Sequence, residues 1–138
     1  MTTRNEGAGR IGLAPAISPT KEHSMKKFLV LYMANSADFE KMMKTSTPEQ
    51  QKKGMDAWMH WMNSNKASMV DGGAPLGKSK RVDAKGAKDD KNDVGGYSIV
   101  QADSHEAATK LFQKDHPHLQ MMPGSWVEVI EVMAIPGM

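Results

Sequence analysis

Residues 27–33, with the sequence KFLVLYM, constrain the fold more than any other segment of the chain. Their composition predicts a β-strand, and apolar side chains would occupy both faces of that strand. A strand with one face in water alternates apolar and polar residues instead. The sheet that contains this strand therefore needs a cover on each of its two sides.

Two helices are predicted after this strand. Residues 35–44 form a short, weakly amphipathic helix. Thr47 then offers an N-cap, and Gln50 completes a capping box for a longer helix that runs to about residue 65. The apolar stripe of this longer helix, which we expect to face the core, comprises Met55, Trp58, Met59 and Met62.

The second half of the chain predicts four strands and one further helix. Short strands at residues 67–71 and 78–82 are separated by a glycine-rich turn, and residues 85–93 form a charged loop. Residues 96–101 form a strand. A capping box of Asp103 and Glu106 begins a helix that ends before Pro117, and the last strand covers residues 126–133. With the strand at residues 78–82 as an extra one, the order is β, α, β, β, α, β. Right-handed crossovers then predict an α+β, ferredoxin-like βαββαβ fold with an antiparallel sheet.

Both helices of such a fold lie on one face of the sheet, so its other face needs a different cover. Contiguous apolar patches larger than roughly several hundred Å² are rare on monomers. We therefore predict a homodimer packed sheet to sheet. The alternative is that residues 1–24 fold back across this face. That segment is predicted to be a disordered N-terminal lead, because its apolar residues follow no period. The domain is predicted to span residues 25–138.

Composition and charge argue against several classes of function. The net charge of +2 is too small to indicate a nucleic-acid partner. The absence of cysteine excludes disulfides, iron–sulfur clusters and thiolate zinc sites. No apolar stretch spans a bilayer or resembles a secretory signal, so we expect no membrane partner and a cytoplasmic location. The glycines match no phosphate- or dinucleotide-binding motif. We expect neither a metal nor another cofactor.

Six segments occur in a characteristic order along residues 25–133. They are KKFLVLYM, AWMHWM, MVDGGAPLG, GGYSIVQADSHEAA, HPHL and WVEVIEVM. Together they resemble the YCII-related (DGPF-type) proteins. The resemblance implies a dimeric α+β barrel, in which two ferredoxin-like subunits pack their sheets against each other. It implies no particular reaction, because the superfamily spans isomerases, monooxygenases and haem enzymes.

In the YCII branch of this family, a His on the first long helix and an Asp in a DP motif form a proposed acid/base pair. Asp115 matches that Asp, although His116 separates it from Pro117. The family's His position falls near Asp56, and His60 lies one turn later. The sequence therefore departs from the family pattern at both members of the pair.

The first candidate site consists of His118 and Asp115, with His116 as a ligand-binding neighbour. Imidazole changes its protonation state near neutral pH, and a carboxylate can fix its tautomer. These side chains could therefore act as general acid and base on a small carbonyl or lactone-like substrate. The alternative is that the two imidazoles close the end of the second helix by binding its free carbonyls.

The second candidate site lies on the longer helix. Asp56 and His60 are four residues apart and share a helix face, next to Trp61. They could line a ligand pocket with His60 in a catalytic role, or they could form a solvated pair. The predicted function is therefore the binding of a small, partly apolar molecule, with cofactor-free acid/base catalysis left open. The alternative is a non-catalytic module for ligand sensing or structural dimerisation.

Overall fold

A computed structural model describes residues 25–137, and the predicted disordered lead lies outside these residues. The described residues form six strands and four α-helices. The strands are β1 (Lys26–Met33), β2 (Met69–Pro75), β3 (Ser79–Asp83), β4 (Gly86–Asp90), β5 (Val94–Ala102) and β6 (Trp126–Glu131). The helices are α1 (Ser36–Thr45), α2 (Pro48–Ser64), α3 (His105–Thr109) and α4 (Pro117–Met121).

Four of the strands form one antiparallel sheet, in the order β2-β5-β1-β6. The central strand β1 pairs with β5 on one side and with β6 on the other, and β5 also pairs with β2. Strands β3 and β4 form a separate two-stranded sheet, which we call the arm. The predicted α+β class with an antiparallel sheet is confirmed.

The two faces of the sheet differ in burial. On the first face, Phe28 and Val30 are completely buried, and α2 and α3 contribute side chains to the core around them. On the opposite face, which we call the second face, Leu29 and Leu31 are half-buried. Ile130 of β6 is exposed there. The helices therefore cover the first face, and the second face carries apolar side chains with partial access to solvent.

The predicted apolar stripe of α2 is correct for Trp58 and Met62 and wrong for Met55 and Met59. Met55 and Met59 are 63% and 51% exposed, whereas Trp58 packs against the core cluster and Trp61 is half-buried. Gly54 is the buried residue of α2, and a Cβ there would lie 2.8 Å from Cε of Met121. The helix turns its indole rings inward because they bury more apolar area than thioethers do.

Two predicted breaks in the strands do not occur. Residues 72–75 continue β2 instead of ending it, because shifts of register on either side of Asp71 absorb the irregular backbone. Gly73 makes this possible with a φ of 76°, a left-handed conformation that favours glycine. Residues 85–93, predicted as a loop, contain β4 and complete the arm.

The predicted helix that begins near Asp103 and ends before Pro117 is present but short. Ser104, and not Asp103, is the N-cap, and its hydroxyl accepts a hydrogen bond from the Ala107 N–H. The helix ends at Thr109. The chain then passes through turns to α4, which begins at Pro117. A proline with a fixed φ suits the first position of a new helix, so it starts α4 here.

The capping box of α2 is confirmed, and its removal gives a first stability test. The Gln50 N–H donates to Thr47 Oγ1 over 3.1 Å, and the Thr47 N–H donates to Gln50 Oε1 over 2.9 Å. We expect Thr47→Ala to lower the free energy of unfolding by about 1 kcal/mol, because the Gln50 N–H loses its acceptor. Urea denaturation measures this change. Thr47→Ser keeps the hydroxyl and should match the parent, so an equal loss in both variants would contradict the capping explanation.

Candidate functional site

His116 lies inside a cluster of four aromatic side chains, which we call the aromatic cage. The ring centroids of Trp61 and Trp58 lie 4.5 Å and 4.9 Å from the imidazole, in edge-to-face arrangements. Phe112 lies 5.4 Å away, and Tyr32 is stacked at 5.6 Å. The His116 residue is only 1% exposed. The cage is therefore a dry, mainly apolar environment around one ionisable ring.

The cage is assembled from three parts of the chain. Tyr32 points from β1 to the helix-covered first face, because it follows Phe28 and Val30 in the two-residue period of the strand. Trp58 and Trp61 are three residues apart on α2 and so share one side of that helix. Phe112 lies in the turns after α3. The Trp61 Nε1–H donates to the Leu111 carbonyl over 3.1 Å and ties α2 to these turns.

His116 serves as the N-cap of α4. Its Nδ1 accepts a hydrogen bond from the His118 N–H over 3.0 Å, so in the neutral ring the proton resides on Nε2. Within residues 25–137, this Nε2 is buried and has no hydrogen-bond partner. Burial, and to a lesser degree the neighbouring His118, lower the pKa of His116 to about 4 against a smaller opposing effect of Asp115. His116 is therefore a neutral hydrogen-bond donor at physiological pH.

A buried chain of hydrogen bonds joins the cage to the edge of the sheet. The Tyr32 hydroxyl donates to Ser98 Oγ over 2.9 Å, and Ser98 Oγ donates to the Gly72 carbonyl over 2.9 Å. Burial raises the pKa of Tyr32 to about 12, although the hydrogen bond with Ser98 acts in the opposite direction. Tyr32 therefore stays protonated and positions the cage.

The structure does not bring His118 and Asp115 together as a pair. His118 Nε2 donates to the Met33 carbonyl over 2.8 Å, and its ring meets Tyr32 edge to face at 5.6 Å. Asp115 is exposed and forms no hydrogen bond or ion pair with any residue between 25 and 137. His118 thus fastens α4 to the end of β1. The predicted closing of a preceding helix by these imidazoles is also wrong, because His116 caps the start of α4.

The second candidate site is divided between water and the cage. Asp56 and His60 are both exposed on α2, and neither side chain makes a hydrogen bond or ion pair to a described residue. Trp61 belongs to the cage instead. The predicted pocket of these three residues is therefore not assembled in this chain alone. The reason is the rotation of α2, which directs positions 56 and 60 away from the core.

A groove lies beside the cage, between the segment that follows α3 and strand β6. It has a volume of about 320 Å³. Its lining is mainly apolar, with two hydroxyls, and comprises Thr109, Phe112, Leu119, Ser125, Trp126, Val127 and Val129. Phe112 belongs to both the groove and the cage. This arrangement can hold a small apolar molecule with a few polar atoms.

The sequence did not place Tyr32, Trp58 or Phe112 beside the histidines, and it did not indicate the cap formed by His116. Trp58 was expected in the core only. A usable signal existed in Pro117, since a proline at the first helical position marks the preceding residue as the cap. His105 was also missed. Its Nε2–H donates to the Val129 carbonyl over 2.8 Å, and its ring lies 5.1 Å from that of Phe28.

Comparison of the sequence with protein families and with curated proteins identifies no relative. The chain matches no protein-family model, and no curated protein matches it. In the part of the chain that the structure describes, no three His, Asp or Glu side chains are grouped as a metal site would require. The helices within residues 25–137 lack the combined length and hydrophobicity for crossing a membrane.

Proposed function

We propose that the chain is a YCII-related, ferredoxin-like subunit of a homodimer that binds a small, partly apolar molecule. Strand order supports the ferredoxin-like part of this proposal. Strands β1 and β2 are both antiparallel to β5, which lies between them. A split βαβ unit requires one strand inserted between the two that its helix connects. The motifs shared with YCII-related proteins are the basis for the family assignment.

The second face supports the homodimer. Leu29 of β1 is paired with Ile99 on β5 and with Ile130 on β6, which gives an apolar row across three strands. Leu31 and Tyr97 form the adjacent pair. Apolar rows of this kind are stable when they are removed from water. A second copy of the same face offers a cover of matching shape and twist.

The groove is the single observation that carries the binding proposal. Its volume lies within the range of small-molecule sites, and its apolar lining carries the hydroxyls of Thr109 and Ser125. Trp126 lines the groove and begins β6, where it is paired with Met33. Val127 and Val129, which also line the groove, are paired with Tyr32 and Val30 of the first face. The proposed ligand would therefore be bound on the helix-covered side of the sheet, opposite the proposed dimer interface.

Binding is favoured over acid/base catalysis by the state of the histidines. His118 uses its Nε2–H on the Met33 carbonyl, and the pKa of His116 is too low for proton exchange near neutral pH. His60 and Asp115 are exposed and have no partner among the described residues. The function that this arrangement supports best is a non-catalytic, ligand-binding dimer.

Native mass spectrometry of protein purified from its own source tests the binding proposal. We expect twice the chain mass plus the mass of a retained small molecule. Thr109→Trp should lose the added mass, because the indole fills the groove. Gln113→Trp introduces the same ring at an exposed position outside the groove lining and should keep it. A bare dimer, or an added mass that persists in Thr109→Trp, would show that the groove is not the ligand site.

Sedimentation velocity tests the homodimer. We expect Ile130→Lys to give monomers, because it would place an unpaired charge in the proposed interface. Ile130 is 43% exposed in the single chain, so the fold should tolerate this change. Val82→Lys adds the same charge on the arm, where Val82 is 75% exposed, and should remain dimeric. A parent protein that sediments as a monomer at about 100 μM would rule out the sheet-to-sheet dimer.

A further inference from the structure

The unpaired donor on His116 is the feature of this molecule that most needs an explanation. Its Nδ1 already accepts from the His118 N–H, so the remaining proton of the neutral ring must be on Nε2. That atom is buried and has no acceptor among residues 25–137. Buried polar groups are almost always paired, because an unpaired one loses its hydrogen bonds to water without replacement.

The surroundings of His116 cannot supply a good acceptor. Its neighbours in the cage are the rings of Tyr32, Trp58, Trp61 and Phe112. Aromatic faces accept N–H groups only weakly. The Tyr32 hydroxyl is already engaged with Ser98. A stronger acceptor therefore has to come from outside the cage.

Phe112 is the shared wall between this donor and the groove. Its ring lies 5.4 Å from the His116 imidazole and also lines the groove. It is half-buried, and it lies in the turns between α3 and α4, where its N–H bonds to the Thr109 carbonyl over 3.0 Å. Side chains in such segments reorient more easily than those within long helices. Rotation of one ring would connect the groove to Nε2.

Because the His116 ring is uncharged, it favours one chemical class of hydrogen-bond acceptor over others. Its pKa of about 4 leaves the ring neutral at physiological pH. A neutral donor in a dry cage does not compensate a carboxylate or phosphate for its lost hydration. A carbonyl oxygen has a smaller hydration to lose and accepts one N–H hydrogen bond well.

We propose that Phe112 is a movable gate and that His116 Nε2–H binds the carbonyl oxygen of an uncharged, mainly apolar ligand in the groove. His116 is then the residue that determines ligand specificity. This inference rests on the proposed function, because it requires the groove to be the binding site. It adds the chemical class of the ligand, which is a ketone, aldehyde or amide attached to an apolar body.

Two probes of similar shape test the carbonyl requirement. Acetophenone carries a ketone on a benzene ring, and ethylbenzene lacks the oxygen. Affinity is measured by tryptophan fluorescence, and the His116 imidazole is followed by ¹⁵N-resolved NMR at pH 7. We expect acetophenone to bind about tenfold more tightly and to shift the Nε2–H resonance, because only the ketone accepts its proton.

Two variants test the role of the Phe112 ring separately from that of the His116 N–H donor. Phe112→Ala should strengthen acetophenone binding, because no ring then has to move. His116→Phe should bind both probes equally, because it keeps an aromatic ring without the donor. The NMR measurement on the parent protein needs no variant, so a folding defect in His116→Phe does not affect it.

The outcomes distinguish the inference from the proposed function. Equal affinities for the two probes, with no shift at His116, would overturn the role of His116 and leave binding in the groove intact. Failure of the parent and of Phe112→Ala to bind either probe would overturn both. A shift at His116 with a preference for acetophenone supports both.

Discussion

Replacing Gly73 by alanine should lower the free energy of unfolding by about 3 kcal/mol or more. Gly73 has a φ of 76°, and a Cβ built on it would lie 1.6 Å from the Tyr97 carbonyl oxygen. No rotamer change relieves this overlap, because the obstructing atom belongs to the backbone of β5. The edge strand β2 would have to separate from β5. Urea denaturation followed by circular dichroism measures the loss.

Gly77 provides the matched control for Gly73. It lies two residues after β2, and nothing lies within 4 Å of a Cβ placed there. Gly77→Ala should change the free energy of unfolding by less than about 0.5 kcal/mol. If both alanine variants behaved alike, the close approach of β2 to β5 at Gly73 would be refuted. In Gly73→Ala, hydrogen exchange should show loss of amide protection first in β2, which is bonded to β5 alone.

The stability of the fold should also fall steeply with acid because of His116. The pKa of His116 is about 4 in the folded chain, against an ordinary value of 6.5. Above pH 6.5 the His116 imidazole is neutral in both the folded and the unfolded chain, so it adds nothing to the pH dependence of stability. Between pH 6.5 and pH 4 the unfolded chain binds the proton and the folded chain excludes it. The resulting loss of stability is up to roughly 3 kcal/mol and levels off below pH 4.

His116→Asn isolates this contribution from that of other groups. Asparagine keeps the N-cap function but does not titrate. The variant should be less stable at pH 7, because its smaller side chain leaves a gap in the cage. Its stability should fall less between pH 6.5 and pH 4 than that of the parent. His60→Gln removes an exposed histidine and should preserve the slope of the parent. Identical slopes in the parent and His116→Asn would refute the effect.

Local signals in the sequence predicted a large part of the fold. The apolar run of β1 and the Thr47–Gln50 box depend on neighbours within a few residues, and both are confirmed. Two positions of the α2 stripe, Met55 and Met59, were wrong because Met and Trp count equally in a periodic pattern, whereas the larger indoles take the inward positions. The helix after residue 103 does end before Pro117, but α4 was missed because Pro117 starts a new helix as readily as it limits an old one.

The candidate site was harder to predict because it depends on contacts distant in sequence. His116 and Tyr32 are 84 positions apart, and their rings meet because the His118 bond to the Met33 carbonyl holds α4 at the end of β1. His116 and Trp61 were identified as candidates, and the structure places both in the cage. Asp56, His60 and Asp115 remained in solvent, because spacing along a helix does not reveal which side of it faces the core.

The arm has a consequence for how chains of this type can vary in length. Its residues, from Ser79 to Asp90, leave the main sheet after β2 and return to it at β5. The Leu76 N–H donates to the Gly95 carbonyl over 3.0 Å, so the two ends of the excursion are already adjacent. The arm is thus an insertion in the connection of an ordinary hairpin. Lengthening, shortening or replacing it should leave the cage and the groove untouched.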